Sequence, residues 1–120
     1  MNKIFSNPAA NANSIMIDGI FKTPYDMTNT DAIKVCRHVV SSVSEICEQI
    51  NFVASESVSD ACGKKPTLDG PYGFGKNQLN FANAYANKVL NGNYTADYNV
   101  TNACQALGCL DSAKEWLEIK

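Results

Sequence analysis

One stretch of the chain, residues 28–62, carries apolar side chains at intervals of three and four, and this spacing constrains the fold more than any other feature. Such intervals place the apolar side chains on one face of an α-helix. The apolar positions are Ile33, Cys36, Val40, Val43, Cys47, Ile50 and Ala54, widened by Val39, Ile46 and Val53. A stripe this broad is typical of a helix that packs against two or three neighbours. We therefore predict a central core helix, with Val43 and Ile50 fully buried.

The two ends of this helix can also be predicted. Thr28 or Thr30 can accept a hydrogen bond from an unpaired backbone N–H of the first turn, and Asp31 places negative charge at the positive end of the helix dipole. A straight helix over residues 31–62 would be about 48 Å long at ~1.5 Å per residue. A compact chain of this length is only about 35 Å across. The helix is therefore expected to bend or break, most readily across residues 55–57, where serines have weak helix propensity.

Composition indicates one globular domain over residues 1–120, since 45% of the residues are apolar and 18% are charged. The net charge of −2 and the absence of a basic stripe argue against nucleic-acid binding. No apolar run approaches the ~18 residues of a membrane span, and no signal peptide is recognisable. We expect a chain that is cytoplasmic as written, or periplasmic if a leader has been removed.

The N-terminal segment, residues 1–27, is expected to pack on the helical domain. Asn7 can cap a short helix, Pro8 can occupy its first position and Gly19 can end it, so a helix is predicted here. The alternative is a β-hairpin, in which Asp18 and Gly19 form a two-residue turn between two short apolar strands.

Three further helices are predicted in the C-terminal half. They are residues 76–91 ending at Gly92, residues 100–107 between Asn99 and Gly108, and a last helix that starts at Asp111 or Ser112, where Ser112 and Glu115 match a capping box. Trp116 is expected to bind the last turn onto the core. The predicted fold class is therefore all-α, a single-domain bundle of four to five helices around one long central helix.

An irregular, glycine-rich stretch separates the central helix from the second one. We predict that its Asp69–Lys76 portion is a partner-binding loop, because glycines beside aromatic residues present large contact surfaces on an adaptable backbone. The candidate partner-binding residues are Asp69, Tyr72, Phe74 and Lys76. Alternatively, Tyr72 and Phe74 fold back and fill the core. Gly73 to Lys76 lack the spacing of a phosphate-binding loop.

The sequence contains no recognisable catalytic set. His38 follows Cys36 by two residues, so on a helix the two side chains point about 200° apart and cannot form a nucleophile–base pair. We expect His38 to be exposed. Cys104 and Cys109 lack the spacing of a zinc site. No catalytic residue, metal or cofactor is therefore predicted.

Five cysteines are many for a chain of 120 residues. We predict that Cys62 lies near Cys104 or Cys109, because the second helix returns antiparallel beside the end of the central helix. An exported protein would bridge that pair, whereas a cytosolic one would keep these cysteines reduced and buried.

The spacing of the cysteines resembles that of the Tai/Rap immunity proteins, small helical proteins with which bacteria block their own cell-wall-cutting amidase effectors of type VI secretion. The matching positions are Cys36, Cys47 followed by Phe52-Val53-Ala54, Cys62 with Pro66 downstream, and Cys109. Residues 48–51 replace the glycine-rich stretch that the family usually shows, and Gly108 replaces a proline. The resemblance implies a helical protein whose partner is a secreted effector enzyme.

A nearly neutral helical domain with an aromatic loop and no catalytic set is most economically a binding protein. We predict a small non-catalytic inhibitor or immunity protein that occludes a partner enzyme. One alternative is a structural or phage-type assembly subunit that forms a homo-oligomer. Another is a small cysteine-dependent enzyme.

Overall fold

The fold is mostly helical, with a small β-sheet at its N-terminal side. The structure is a computed structural model that describes residues 5–6, 15–63, 71–92 and 94–118, with the backbone alone at residues 5–6 and 71–72. The elements are β1 (Phe5–Ser6), β2 (Ile15–Ile17), β3 (Ile20–Lys22), a 3₁₀ turn (Pro24–Asp26), α1 (Asn29–Ile50), α2 (Val58–Gly63), α3 (Pro71–Leu90) and α4 (Ala96–Trp116). The expectation of a purely all-α fold is therefore wrong.

The sheet is antiparallel, in the order β1-β2-β3. Asp18 and Gly19 have φ values of 50° and 88° and form the two-residue turn that joins β2 to β3. A turn with positive φ at both positions matches the twist of the strands, and Asp-Gly adopts it readily. The hairpin alternative is thus confirmed for residues 15–22, and the helix predicted to end at Gly19 is wrong there. Asn7 and Pro8 lie outside the described residues.

A capping box begins α1. The Thr28 hydroxyl accepts a hydrogen bond from the Asp31 N–H at 3.2 Å, and the Asp31 carboxylate accepts one from the Thr28 N–H at 3.0 Å. The Lys22 ammonium donates to the same carboxylate at 2.8 Å and ties the hairpin to the helix. Burial opposes ionisation of Asp31, but the hydrogen bonds from Lys22 and Thr28 outweigh it and lower its pKa. The prediction of Thr28 as a cap is confirmed.

The long apolar stretch breaks after α1, as expected from its length. Asn51 adopts a left-handed conformation with φ 53°, and the chain becomes helical again only at Val58. Asparagine tolerates this conformation better than most residues, which explains why the break begins before the predicted residues 55–57, which it includes. Val53 lies beyond the helix and is 84% exposed, so it does not widen the apolar stripe. Ile50 is only half-buried, contrary to prediction, whereas Val43 is buried.

The core lies where α1, α3 and α4 meet. Its buried members from these helices are Ala32, Val35, Cys36, Val39, Val43, Ile46, Cys47, Leu79, Ala82, Ala86, Val89, Val100, Ala103, Ala106, Leu107, Leu110 and Ala113. Alanines on α3 and α4 let the helix backbones approach closely. Asn99 donates to Asn29 at 2.6 Å, and Cys104 lies close enough to Cys36 to affect its pKa. Both contacts pair the early part of α4 with the early part of α1, so these two helices run parallel.

The last two predicted helices form one continuous helix, α4. Thr95 caps it rather than Asn99, which is buried inside the first turns. Gly108 lies in its interior, and Ser112 and Glu115 are also helical rather than at a start. A glycine inside a helix costs only about 1 kcal/mol relative to alanine. Burial of Ala106, Leu110 and Ala113 on either side of Gly108 outweighs that cost.

Candidate functional site

Six of the eight residues of the predicted Asp69–Lys76 loop are helical. Because α3 begins at Pro71, residues 71–76 form its first turns, and the prediction of an irregular loop is wrong for them. Proline is favoured at the first position of a helix, since its fixed φ suits the helix and its missing N–H would be unpaired there. Asp69 lies outside the described residues, and Tyr72 is described by its backbone alone.

Phe74 and Lys76 point to opposite sides of α3, because side chains two positions apart on a helix lie about 200° apart around its axis. The Phe74 ring faces α4, with its centroid 5.4 Å from that of Trp116. The Lys76 ammonium instead lies 5.6 Å from the centroid of the Phe52 ring, beside the end of α1. The structure therefore does not bring these two predicted residues into one patch.

The first of the two surfaces is an aromatic pair, Phe74 and Trp116. Both side chains are about half exposed, at 48% and 45%, so Phe74 does not plug the core. Gly75 positions the pair, because a β-carbon there would lie 2.5 Å from Cγ of Leu117. The glycine thus lets the end of α4 seat against the start of α3.

Trp116 was predicted to bind the last turn onto the core; its ring does contact Phe74 of α3, but it is 45% exposed. A signal was present in α4, since buried Ala106, Leu110 and Ala113 follow the helical spacing that continues to Leu117. Trp116 is one position off this stripe and is therefore displaced toward solvent.

The second surface is a cleft of about 510 Å³ between α1 and α3, here named the α1–α3 cleft. Its lining residues are Val40, Val43, Ser44, Cys47, Glu48, Phe52, Val53, Ala54, Glu56, Asn83 and Asn87. Among the described residues, the lining thus combines an apolar floor with two carboxylates and no cationic side chain. None of these residues was predicted to bind a partner.

Two hydrogen bonds from α3 hold the wall of the α1–α3 cleft formed by residues 52–56. The Ser55 N–H donates to Oδ1 of Asn80 at 2.8 Å, and Nδ2 of Asn83 donates to the Ser55 carbonyl at 3.1 Å. Ser55 and Asn80 are both buried. Because these bonds fix the backbone, Val53 is held outward at the mouth of the cleft.

The five cysteines are free thiols in the structure. Burial, followed by the nearby Cys104, raises the pKa of Cys36 to about 12. Burial also raises the pKa of Cys47, Cys104 and Cys109. Reactive cysteines have lowered pKa values, so these four thiols are in unreactive surroundings.

The cysteine arrangement differs from the predicted one in part: Cys62 is exposed rather than buried, while its proximity to Cys109 stays a prediction. Cys104 lies beside Cys36, with its sulfur 3.9 Å from that of Met27, near the start of α1. Cys62 is exposed on α2, which follows the other end of α1, and no bond joins it to Cys104 or Cys109. The parallel course of α1 and α4 accounts for the separation of Cys62 from Cys104.

His38 is half-buried rather than exposed as predicted. Burial lowers its pKa, and so does the positive charge of Lys114, while Asp111 and Glu45 act in the opposite direction. The imidazole is therefore neutral at pH 7. This environment lies between α1 and α4.

Within the described ranges, no three His, Cys, Asp or Glu side chains are grouped so that they could hold a metal ion. No helix in the part of the chain that the structure describes is long and apolar enough to cross a membrane. In comparisons with known proteins, no family model, no curated protein and no solved structure matches the chain. The resemblance to the Tai/Rap immunity proteins stays a prediction.

Proposed function

We propose that this chain is a small non-catalytic binding protein that occludes a partner enzyme, as an inhibitor or immunity protein does. The observation that carries the proposal is the half-exposed Phe74–Trp116 pair. Aromatic side chains contribute most of the binding energy in many interfaces. Rings already held by two packed helices lose little conformational entropy on binding.

The surroundings of the cysteines and the histidine favour this proposal over a cysteine-dependent enzyme. A nucleophilic thiol needs a lowered pKa or an adjacent base. Burial instead raises the pKa of Cys36, and its neighbour on α4 is a second thiol, Cys104. The His38 side chain, on α1, faces Asp111 and Lys114 of α4.

The first experiment identifies the partner through the aromatic pair. A photo-crosslinking amino acid is placed at Glu115, an exposed position beside Trp116, and the adduct formed in the native cells is identified by mass spectrometry. A second crosslinker at Tyr25, which is 99% exposed, is the matched control. We expect an enzyme to be captured from position 115 alone, and we expect the purified protein to inhibit it.

The second experiment tests the energetic role of the two rings. Replacing Phe74 and Trp116 together by alanine should weaken partner binding by about 2 kcal/mol or more, which is roughly a thirty-fold change in Kd. The melting temperature should stay nearly unchanged, and Tyr25→Ala should leave binding intact. If the double variant binds like the wild type, or loses several degrees of stability instead, the pair is not the binding anchor.

A second candidate function is a structural subunit that forms a homo-oligomer. Exposed apolar residues on and beside the hairpin favour it, with Ile20 at 59%, Phe21 at 52% and Tyr25 at 99% exposure. Light scattering distinguishes the two functions. A closed oligomer that the Phe21→Ser variant dissociates would support the structural subunit over the inhibitor.

A further inference from the structure

The α1–α3 cleft has an apolar mouth that the described residues of the chain leave uncovered. Val53 is 84% exposed although it lies between the half-buried Phe52 and Ala54. The hydrogen bonds of Ser55 to Asn80 and Asn83 hold this segment in place, so the exposure of Val53 is set by the fold. The cleft therefore offers fixed apolar surface to an incoming side chain.

The charged residues that line the cleft, among those that the structure describes, are of one sign. Glu48 on α1 and Glu56 on the connecting segment are both exposed lining residues, and no ion pair engages either of them within the described ranges. Lys76 lies over the Phe52 ring and is not among the lining residues of the cleft. Two carboxylates at the edge of an apolar floor complement a segment that carries both apolar and basic side chains.

Polar side chains complete the lining. Ser44 on α1 and Asn87 on α3 both line the cleft, and Asn83 lies one turn before Asn87. Hydroxyl and amide groups can hydrogen-bond the backbone of a bound peptide. A volume of about 510 Å³ accommodates a few side chains, such as those on one face of a short helical segment.

We infer that the α1–α3 cleft binds a short cationic and apolar segment of a partner protein. An apolar side chain of that segment packs on Phe52 and Val53, and a lysine or arginine of the same segment lies between Glu48 and Glu56. This site is separate from the Phe74–Trp116 pair and does not depend on it.

The test uses a defined peptide of about twelve residues made of leucine and lysine at helical spacing, and a counterpart in which glutamate replaces every lysine. Binding is measured by fluorescence anisotropy and mapped by NMR. We expect the lysine peptide alone to bind, with shifts of the Val53 methyl groups and of the Asn83 and Asn87 amides. Affinity should fall when salt is raised from about 50 to about 300 mM, because exposed charges are screened.

Two variants decide whether the carboxylates of the cleft are responsible. Glu48→Gln with Glu56→Gln should weaken binding of the lysine peptide roughly ten-fold, the sum of two exposed charge pairs. Glu115→Gln with Glu118→Gln removes the same charge from exposed positions outside the cleft and should change nothing. Equal affinities of the two double variants would overturn the inference.

The NMR map separates this inference from the proposed function. Shifts confined to the Trp116 indole and to residues 73–75 would overturn the cleft as the site of the peptide and leave the aromatic pair untouched. Shifts of the cleft residues would support the cleft as the peptide site. If the double variant of Phe74 and Trp116 also bound the partner like the wild type, the aromatic pair would not be the binding anchor.

Discussion

The two halves of α1 are covered very differently, although the same helical spacing runs through both. In the first half Ala32, Val35 and Val39 are completely buried. Toward the C-terminal end the exposure rises to 8% at Cys47, and Ile50 is only half-buried. Periodicity shows which face of a helix is buried, but the neighbouring elements decide how far along the helix that burial extends. Past Cys47, part of the cover comes from residues 52–56. The α1–α3 cleft lies along Val40 to Glu48, in this second half of the helix.

The largest effect comes from comparing a charge placed in the buried first half of α1 with a charge placed at the mouth of the α1–α3 cleft. Val39→Asp buries an unpaired carboxylate and should cost more than about 4 kcal/mol in the free energy of unfolding, enough to abolish folding. Val53→Asp should change it by less than about 0.5 kcal/mol, since the side chain is in water. Urea titrations measure both. A large loss for Val53→Asp would mean that the mouth of the cleft is closed in solution.

Truncation of two isoleucines on α1 sharpens the comparison. Ile46→Ala should cost about 3 kcal/mol, because Ile46 is buried and its removal leaves a cavity. Ile50→Ala should cost about 1 kcal/mol, since the half-buried side chain loses less contact. Equal shifts of the two urea midpoints would show that burial does not decline along the helix.

The caps at the starts of α1 and α4 allow a test in which the expected change in stability is smaller. Thr28→Ala removes one partner of a two-way capping box and should cost about 1 kcal/mol, whereas Thr28→Ser should be nearly neutral. Thr95→Ala on α4 removes a single exposed bond of 3.4 Å and should cost less than about 0.5 kcal/mol. Thermal melts of the three variants give the order, and a Thr95→Ala cost above that of Thr28→Ala would contradict it.

The smallest effect is a pH dependence from His38, the single histidine of the chain. Its pKa is lowered from its ordinary value of 6.5 in the folded protein, so the unfolded chain takes up the proton first as the pH falls. The stabilisation is therefore complete above about pH 6.5 and declines below it. His38→Gln should reduce the pH dependence of the urea midpoint between about pH 5.5 and about pH 7.5. An unchanged slope would place the imidazole in water.

Local sequence signals predicted what local interactions determine. The apolar spacing predicted α1, the hydroxyl of Thr28 predicted its cap, and the length of the stretch predicted its break. Gly108 predicts a helix end because its cost of about 1 kcal/mol is visible locally, whereas the burial that outweighs this cost depends on α1 and α3. For a similar reason, only one residue of the aromatic pair could be predicted from the sequence. Phe74 stands out in the sequence, but its contact with Trp116 depends on α4 continuing past Gly108 and on α3 returning beside it.

The position of Gly108 also affects how α4 opens locally. A β-carbon at this residue would meet nothing within 4 Å, so no close contact requires a glycine here. The missing side chain leaves the backbone accessible to water. Amide hydrogens after such a position exchange with solvent through openings that need less free energy than global unfolding. The segment 109–116 carries Trp116 at its end. A partner that holds Trp116 against Phe74 would therefore slow exchange along this whole segment, well beyond the rings that it contacts.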